Sequence, residues 1–147
     1  MLELKVLSES NKQEIKTLFT GVFTREPWND DWSDEKQLDK YITGIIGNRD
    51  SLTFGLIKDD TLIGISLGNL IHWYKGTEYY IREFCVSAEA QGKGMGSGFL
   101  SLIEEYLRKS DIHTIFLNTD RSTPAYSFYK KNNFSELESE RFLFKNF

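Results

Sequence analysis

The chain holds one cysteine, Cys85, two histidines, His72 and His113, and two prolines, Pro27 and Pro124. A lone cysteine excludes an internal disulfide. Met1 to Leu7 alternates like a strand and lacks the apolar core of a signal peptide, so a cytoplasmic protein is expected. His72 and His113 lie far apart in sequence, without metal-ligand spacing, and no metal is expected. Two prolines and no low-complexity segment leave no candidate linker, so residues 1–147 are expected to form a single domain. No apolar run approaches the roughly 20 residues that a membrane-spanning helix needs. Basic residues are the minority, 18 against 22 acidic, for a net charge of −4, which argues against nucleic acid as a partner.

Aromatic residues, by contrast, are plentiful at 14% of the chain, which fits either a heavily packed core or an aromatic-lined cleft. Leu2 to Leu7 alternates apolar and polar residues and reads as a first strand. Ser8 or Ser10 can cap a helix whose apolar face is Ile15, Leu18, Phe19, Val22 and Phe23. Glu26 to Trp32 is turn-rich, acidic and aromatic. A second helix follows with Leu38, Tyr41, Ile42, Ile45 and Ile46 on its buried face, and Asp34 and Glu35 suit its first turn. Leu52 to Lys58 and Thr61 to His72 read as a hairpin about Asp59-Asp60. Gly64 and Gly68 inside its second strand suggest bulges or close backbone approach. Tyr79 to Val86 is a fourth strand, and His113 to Asn118 a fifth of buried type. Between them Phe99, Leu100, Leu102, Ile103, Tyr106 and Leu107 mark an amphipathic helix. A short helix opens at Pro124. Phe134 to Leu137 and Arg141 to Phe144 then alternate as a closing hairpin. The order βααβββαβαββ predicts an α/β fold, a mixed sheet covered by helices on both faces.

The most informative stretch is Gln91-Gly92-Lys93-Gly94-Met95-Gly96-Ser97-Gly98, set between the fourth strand and the amphipathic helix. Glycines let the backbone come close to a ligand. Unpaired N–H groups and the positive end of the helix dipole favour an anion there. The Walker phosphate loop is excluded, because Lys93 is followed by Gly94 and not by Ser or Thr. The dinucleotide pattern G-x-G-x-x-G is excluded too, since its last position falls on Ser97 or Phe99. What remains is Q-x-x-G-x-G at Gln91, Gly94 and Gly96. A plain tight turn would need only one or two of these glycines.

Here the chain resembles the GNAT superfamily of acetyl-CoA-dependent N-acetyltransferases. Three pieces carry the resemblance: Phe84 to Leu100 with its glycine turn, Asn118 at the end of the fifth strand, and Ala125-Tyr126-Ser127-Phe128-Tyr129-Lys130-Lys131-Asn132-Asn133-Phe134. Asn133 stands where the family usually has glycine, and asparagine also tolerates a left-handed backbone. The resemblance implies a splayed central sheet with acetyl-CoA as co-substrate. Its pyrophosphate would be held by the turn from Gln91 through Gly92, Lys93, Gly94, Met95, Gly96 and Ser97. Its pantetheine arm would lie along Phe84, Cys85 and Val86, in a gap between the fourth and fifth strands, near Asn118, Ala125 and Phe128. Lys93 either adds charge or is a solvated loop residue. Tyr129 matches the family tyrosine that faces the sulfur as general acid, with core packing as its alternative role. Glu83 and Glu78 are the candidates for the base, directly or through water; a salt bridge of Glu83 to Arg82 or Lys93 is the plainer reading. Cys85 has no His–Asp partner set and reads as buried.

In this fold the segment joining the first two helices helps to form the acceptor site. Trp28, Asp31 and Trp32, with Trp73 at a strand tip, would suit a cationic small-molecule amine. Equally, the indoles can pin the loop to the core or make a dimer contact, in a protein that is a monomer or a homodimer. Other readings are a protein N-acetyltransferase acting on a lysine or N-terminus, and an acyl-CoA-binding module without catalysis.

Overall fold

The computed structural model describes residues 1–147. Strand β1 (Leu2–Leu7) leads through a 3-10 turn, Glu9–Asn11, into helix α1 (Lys12–Phe23). Ser8 caps that turn, accepting from the backbone N–H of Ser10 at 3.3 Å. Helix α2 (Glu35–Ile46) is capped by Asp34, whose carboxylate accepts from Lys36 N and Gln37 N at 3.0 and 3.1 Å. Strands β2 (Ser51–Lys58), β3 (Thr61–Trp73) and β4 (Gly76–Val86) form a meander. Asp59 and Asp60 both take positive φ, which closes the β2–β3 hairpin in two residues. Helix α3 (Met95–Lys109), strand β5 (Ile115–Leu117) and helix α4 (Pro124–Lys131) complete the order.

The sheet runs β1-β2-β3-β4-β5. Its first four strands are antiparallel neighbours, and β4 and β5 are parallel, as a helical crossover requires. Two apolar clusters lie on its two faces. One packs α1 and α2 over Leu7, Ile65, Leu67 and Cys85. The other packs α3 over Phe54, Leu56, Tyr79, Ile81 and Val86.

Two irregularities in β4 shape the site. Leu67 of β3 pairs with Glu83 while the adjacent Gly68 pairs with Ile81, so Arg82 is an extra, bulged residue. Gly68 has no room for a side chain there: a Cβ would lie 2.5 Å from the Tyr80 carbonyl oxygen and from the Tyr79 ring. Second, β4 and β5 pair only at Tyr79 with Ile115, Tyr80 with Phe116 and Ile81 with Leu117. Beyond Ile81 the two strands part, and the second half of β4 has no neighbour on that side.

The expected α/β fold with a mixed, splayed sheet is present, but its last element is not. The segments 134–137 and 141–144 form no closing hairpin, and the order ends as βααβββαβα. Leu137, Phe142, Leu143, Phe144 and Phe147 are all exposed. A two-stranded hairpin is marginal in water without a sheet to join, and β5 offers an outer edge of three residues, shorter than the span 113–118 expected from its apolar run. No helix is long and apolar enough to cross a membrane.

Candidate active site

The turn between β4 and α3 has the makings of an anion cradle. Gly92 and Gly94 take φ of +75° and +77°, a region that strains other residues, and both face open space. None of the backbone N–H groups from Gly92 to Ser97 donates to another backbone group; the first to do so is Gly98 N, to Gly94 O at 3.1 Å. No side chain caps α3 and its first turn holds no acid. Donors and helix dipole are therefore available to a ligand. Gly96 serves differently. A Cβ there would lie 2.9 Å from the Phe128 ring, so this glycine lets α3 and α4 meet. The Gln91 side chain donates to Val86 O at 3.1 Å and ties the turn to the end of β4. Lys93 is exposed.

Across the gap from β4 stands Tyr129, on α4. Its ring is buried among Phe84, Phe128 and Phe134, at centroid distances of 6.3, 5.3 and 5.3 Å. The helix ends as required to hold it: Asn133 takes φ +68° and Phe134 N donates to Tyr129 O at 3.0 Å. Burial, then the charges of Glu83 and Cys85, push the Tyr129 hydroxyl well above the ordinary tyrosine range. No hydrogen bond within the protein contributes to that shift, so the hydroxyl is neutral and free to donate. Tyr126, the other tyrosine of α4, instead donates to Glu136 at 3.0 Å. Ala125 is half-buried on the same helix, and Asn118, just past β5, donates to the Tyr80 hydroxyl at 2.6 Å.

The bulge decides where Glu83 points. Tyr79 and Ile81 pack toward α3, and strict alternation would send Glu83 the same way. The extra residue Arg82 turns it to the α1–α2 face, where Tyr41 of α2 donates to Glu83 Oε1 at 2.5 Å. Glu83 makes no salt bridge with Arg82 or Lys93. Its carboxyl sits above the usual carboxylate range: burial and the charge of Asp30 raise it, while the Tyr41 hydrogen bond and Arg82 oppose them in part. Glu78 lies at the paired start of β4, opposite Ile71. Cys85 is buried in the α1–α2 core and its thiol is pushed far up by burial, so it is no nucleophile.

The aromatic residues separate. Trp32 stacks on Tyr41 at 5.1 Å and meets Phe19 edge-on at 5.3 Å, one ring removed from Glu83. Its indole Nε1 is buried without a partner. Trp28 packs on Phe23 at 5.5 Å and pins the loop to the core. Asp31 accepts from Ser33 N and Oγ at 3.0 and 2.6 Å, which makes it a turn residue. Trp73 is exposed at the β3–β4 tip, roughly 20 Å along the strand from Glu83. The sequence reading put Tyr41 in the core and named Asp30 only as one of five acids, Glu26, Asp30, Asp31, Asp34 and Glu35, in the α1–α2 segment. That both act on Glu83 depends on tertiary geometry. No group of three or more His, Cys, Asp or Glu residues is arranged to hold a metal.

A mixed sheet that splays beside an uncapped helix N-terminus defines a class of α/β protein in which an open strand edge meets an anion-binding turn. The chain belongs to the acetyltransferase (GNAT) family, whose model matches residues 12–134. Solved structures with the same fold include a ribosomal-protein-alanine N-acetyltransferase from Brucella melitensis biovar Abortus 2308, at TM-score 0.76 and 13% identity, covering 99% of each chain. A predicted acetyltransferase with acetyl-CoA from Clostridium acetobutylicum has TM-score 0.73 and 17% identity, covering 97% of this chain and 96% of its own. An aminoglycoside acetyltransferase from an uncultured soil metagenomic sample, in complex with sisomicin, has TM-score 0.73 and 16% identity, covering 99% and 96%. No curated protein matches the sequence. Family and neighbours support acetyl-CoA as co-substrate.

Proposed function

We propose that the protein transfers an acetyl group from acetyl-CoA to the primary amine of a small cationic molecule. The observation that carries the reading is the split of β4 from β5 after Ile81, which leaves the strand edge that bears Glu83 unpaired next to the open N–H groups of residues 92–97, with Tyr129 packed on Phe84 of the same edge. Those N–H groups suit the pyrophosphate of coenzyme A, with no acid in the first turn of α3 to repel it. The unpaired edge of β4 from Arg82 to Val86 offers backbone groups to the pantetheine arm, in the manner of an added strand.

The acceptor arrives as an ammonium ion. Glu83, with its raised affinity for a proton, takes one from it, directly or through water. The freed nitrogen lone pair attacks the thioester carbonyl carbon, and the carbonyl oxygen takes up negative charge beside backbone N–H donors of the splayed strand. As the C–S bond breaks, the electron pair leaves on sulfur and Tyr129 donates its proton to the thiolate; the second proton of the acceptor nitrogen passes through water to the Tyr129 phenolate, and Glu83 gives up the first to solvent. The products are an N-acetylated amine, free coenzyme A and one proton released to solvent.

The acceptor side supports a cation. Glu83 and Asp30 supply negative charge, and Trp32 and Tyr41 supply aromatic faces. The sisomicin complex of a neighbour with this fold is in keeping with a small-molecule acceptor. A cytoplasmic setting, consistent with one buried free cysteine, completes the reading. An amine panel tests it through release of free thiol from acetyl-CoA. Turnover with di- and polyamines or amino sugars is expected. Turnover only with peptides would make this a protein acetyltransferase, and coenzyme A binding without turnover would make it a binding module.

A further inference from the structure

Tyr41 was expected only to fill the buried face of α2. It is half-buried, packs against Trp32 and Phe19, and yet directs its hydroxyl to a carboxylate 42 residues away in sequence. We propose that Tyr41 is a positioning residue for Glu83: by donating to Oε1 it fixes the carboxylate's orientation and leaves Oε2 as the oxygen that takes the acceptor's proton. The inference rests on the acetyltransferase reading above.

Three observations support it. The bulge at Arg82 brings Glu83 to the α1–α2 face, so the contact is built from a distortion of β4 and is not incidental to regular pairing. Tyr41 packs into a three-ring cluster, with Trp32 stacked at 5.1 Å and Phe19 at 5.9 Å, which restricts the motion of its ring. Asp34 anchors the N-terminus of α2 about two turns before Tyr41. A carboxylate with one oxygen bound has fewer orientations to lose when the amine arrives.

The charges facing Glu83 set the sign of the test. Asp30 of the α1–α2 loop raises its pKa, Arg82 of β4 lowers it, and the Tyr41 hydrogen bond lowers it. Tyr129 of α4 and Cys85 of β4 also feel its charge, and both are neutral. Removing the Tyr41 hydroxyl therefore moves Glu83 further up.

The experiment uses Tyr41→Phe, which keeps the ring and its contacts. In the free protein the Glu83 carboxyl is titrated by NMR, with Glu83→Gln to assign the signal. A midpoint raised by about one pH unit is expected. In turnover, the acid limb of the kcat/KM profile moves up by the same amount. At pH values above that limb kcat still falls about tenfold, while KM for acetyl-CoA is unchanged. An unmoved midpoint overturns the proposal, as does a moved midpoint with an unchanged kcat plateau in an active enzyme. If the wild type transfers no acetyl group to any amine, the functional reading fails, and the positioning role falls with it even where the midpoint moves.

Discussion

Glu83 is a carboxylate whose surroundings oppose its charge. Its folded pKa lies above the ordinary 4.5, with burial as the first cause, so the native state holds that proton more tightly than the unfolded chain does. Its contribution to stability is fully present below pH 4.5 and is lost as the pH rises through the folded value. Glu83→Gln should therefore melt higher than the wild type at pH 7, with the difference fading below pH 4.5; thermal melts at the two pH values check this. The same variant should lose acetyl transfer by about 10²–10⁴-fold while retaining coenzyme A affinity. Tyr129 is the complementary case. Its hydroxyl contributes no internal hydrogen bond to stability, so Tyr129→Phe should leave the melting temperature within about 2 °C and lower kcat by about 10²-fold or more. Calorimetric titration with coenzyme A separates that loss from a loss of binding.

At the scale of elements, the turn into α3 and the start of α2 carry the site from opposite faces of the sheet. Gly94 holds φ +77° at the N-cap of α3. Gly94→Ala should cost about 1 kcal/mol in a denaturant titration and should weaken coenzyme A binding, because relaxing the strain tilts the N–H groups away. Asp34→Ala removes both bonds that cap α2 and should cost about 0.5–2 kcal/mol, lowering the melting temperature by several degrees. The glycine turn was legible in the sequence because its signal is local: glycines at fixed spacing, then an apolar helix with no capping side chain. Tyr129 was singled out through the resemblance of residues 125–134 to the family motif, and the left-handed Asn133 ends α4 where that motif has its glycine. Glu83 was visible only as one of two strand carboxylates. The bulge that chooses its face comes from mispaired neighbours on β3, and its partner Tyr41 lies on another element. Neither leaves a mark on the spacing of residues 78–86.

At the scale of the molecule, the helix-covered sheet and the order of its first nine regular elements followed from periodicity. The closing hairpin did not, because alternation in 134–137 and 141–144 says nothing about whether a sheet edge is long enough to receive it. Every residue from Ser135 to Phe147 is exposed, so these residues add little buried area to the fold. A chain ending at Glu138 should melt within about 2 °C of the full chain, since neither apolar cluster draws on the residues removed. The acceptor side shows the same limit of reading by composition. Trp28, Asp31, Trp32 and Trp73 share a chemistry suited to cations, yet only Trp32 comes within one ring of Glu83.

The most direct test of the account is thiol release from acetyl-CoA, measured with a panel of small cationic amines for the wild type and for Tyr129→Phe. The account predicts turnover by the wild type, lost in the variant while coenzyme A still binds to both. A wild type that binds coenzyme A and acetylates no amine, or a Tyr129→Phe protein as fast as the wild type, would contradict it.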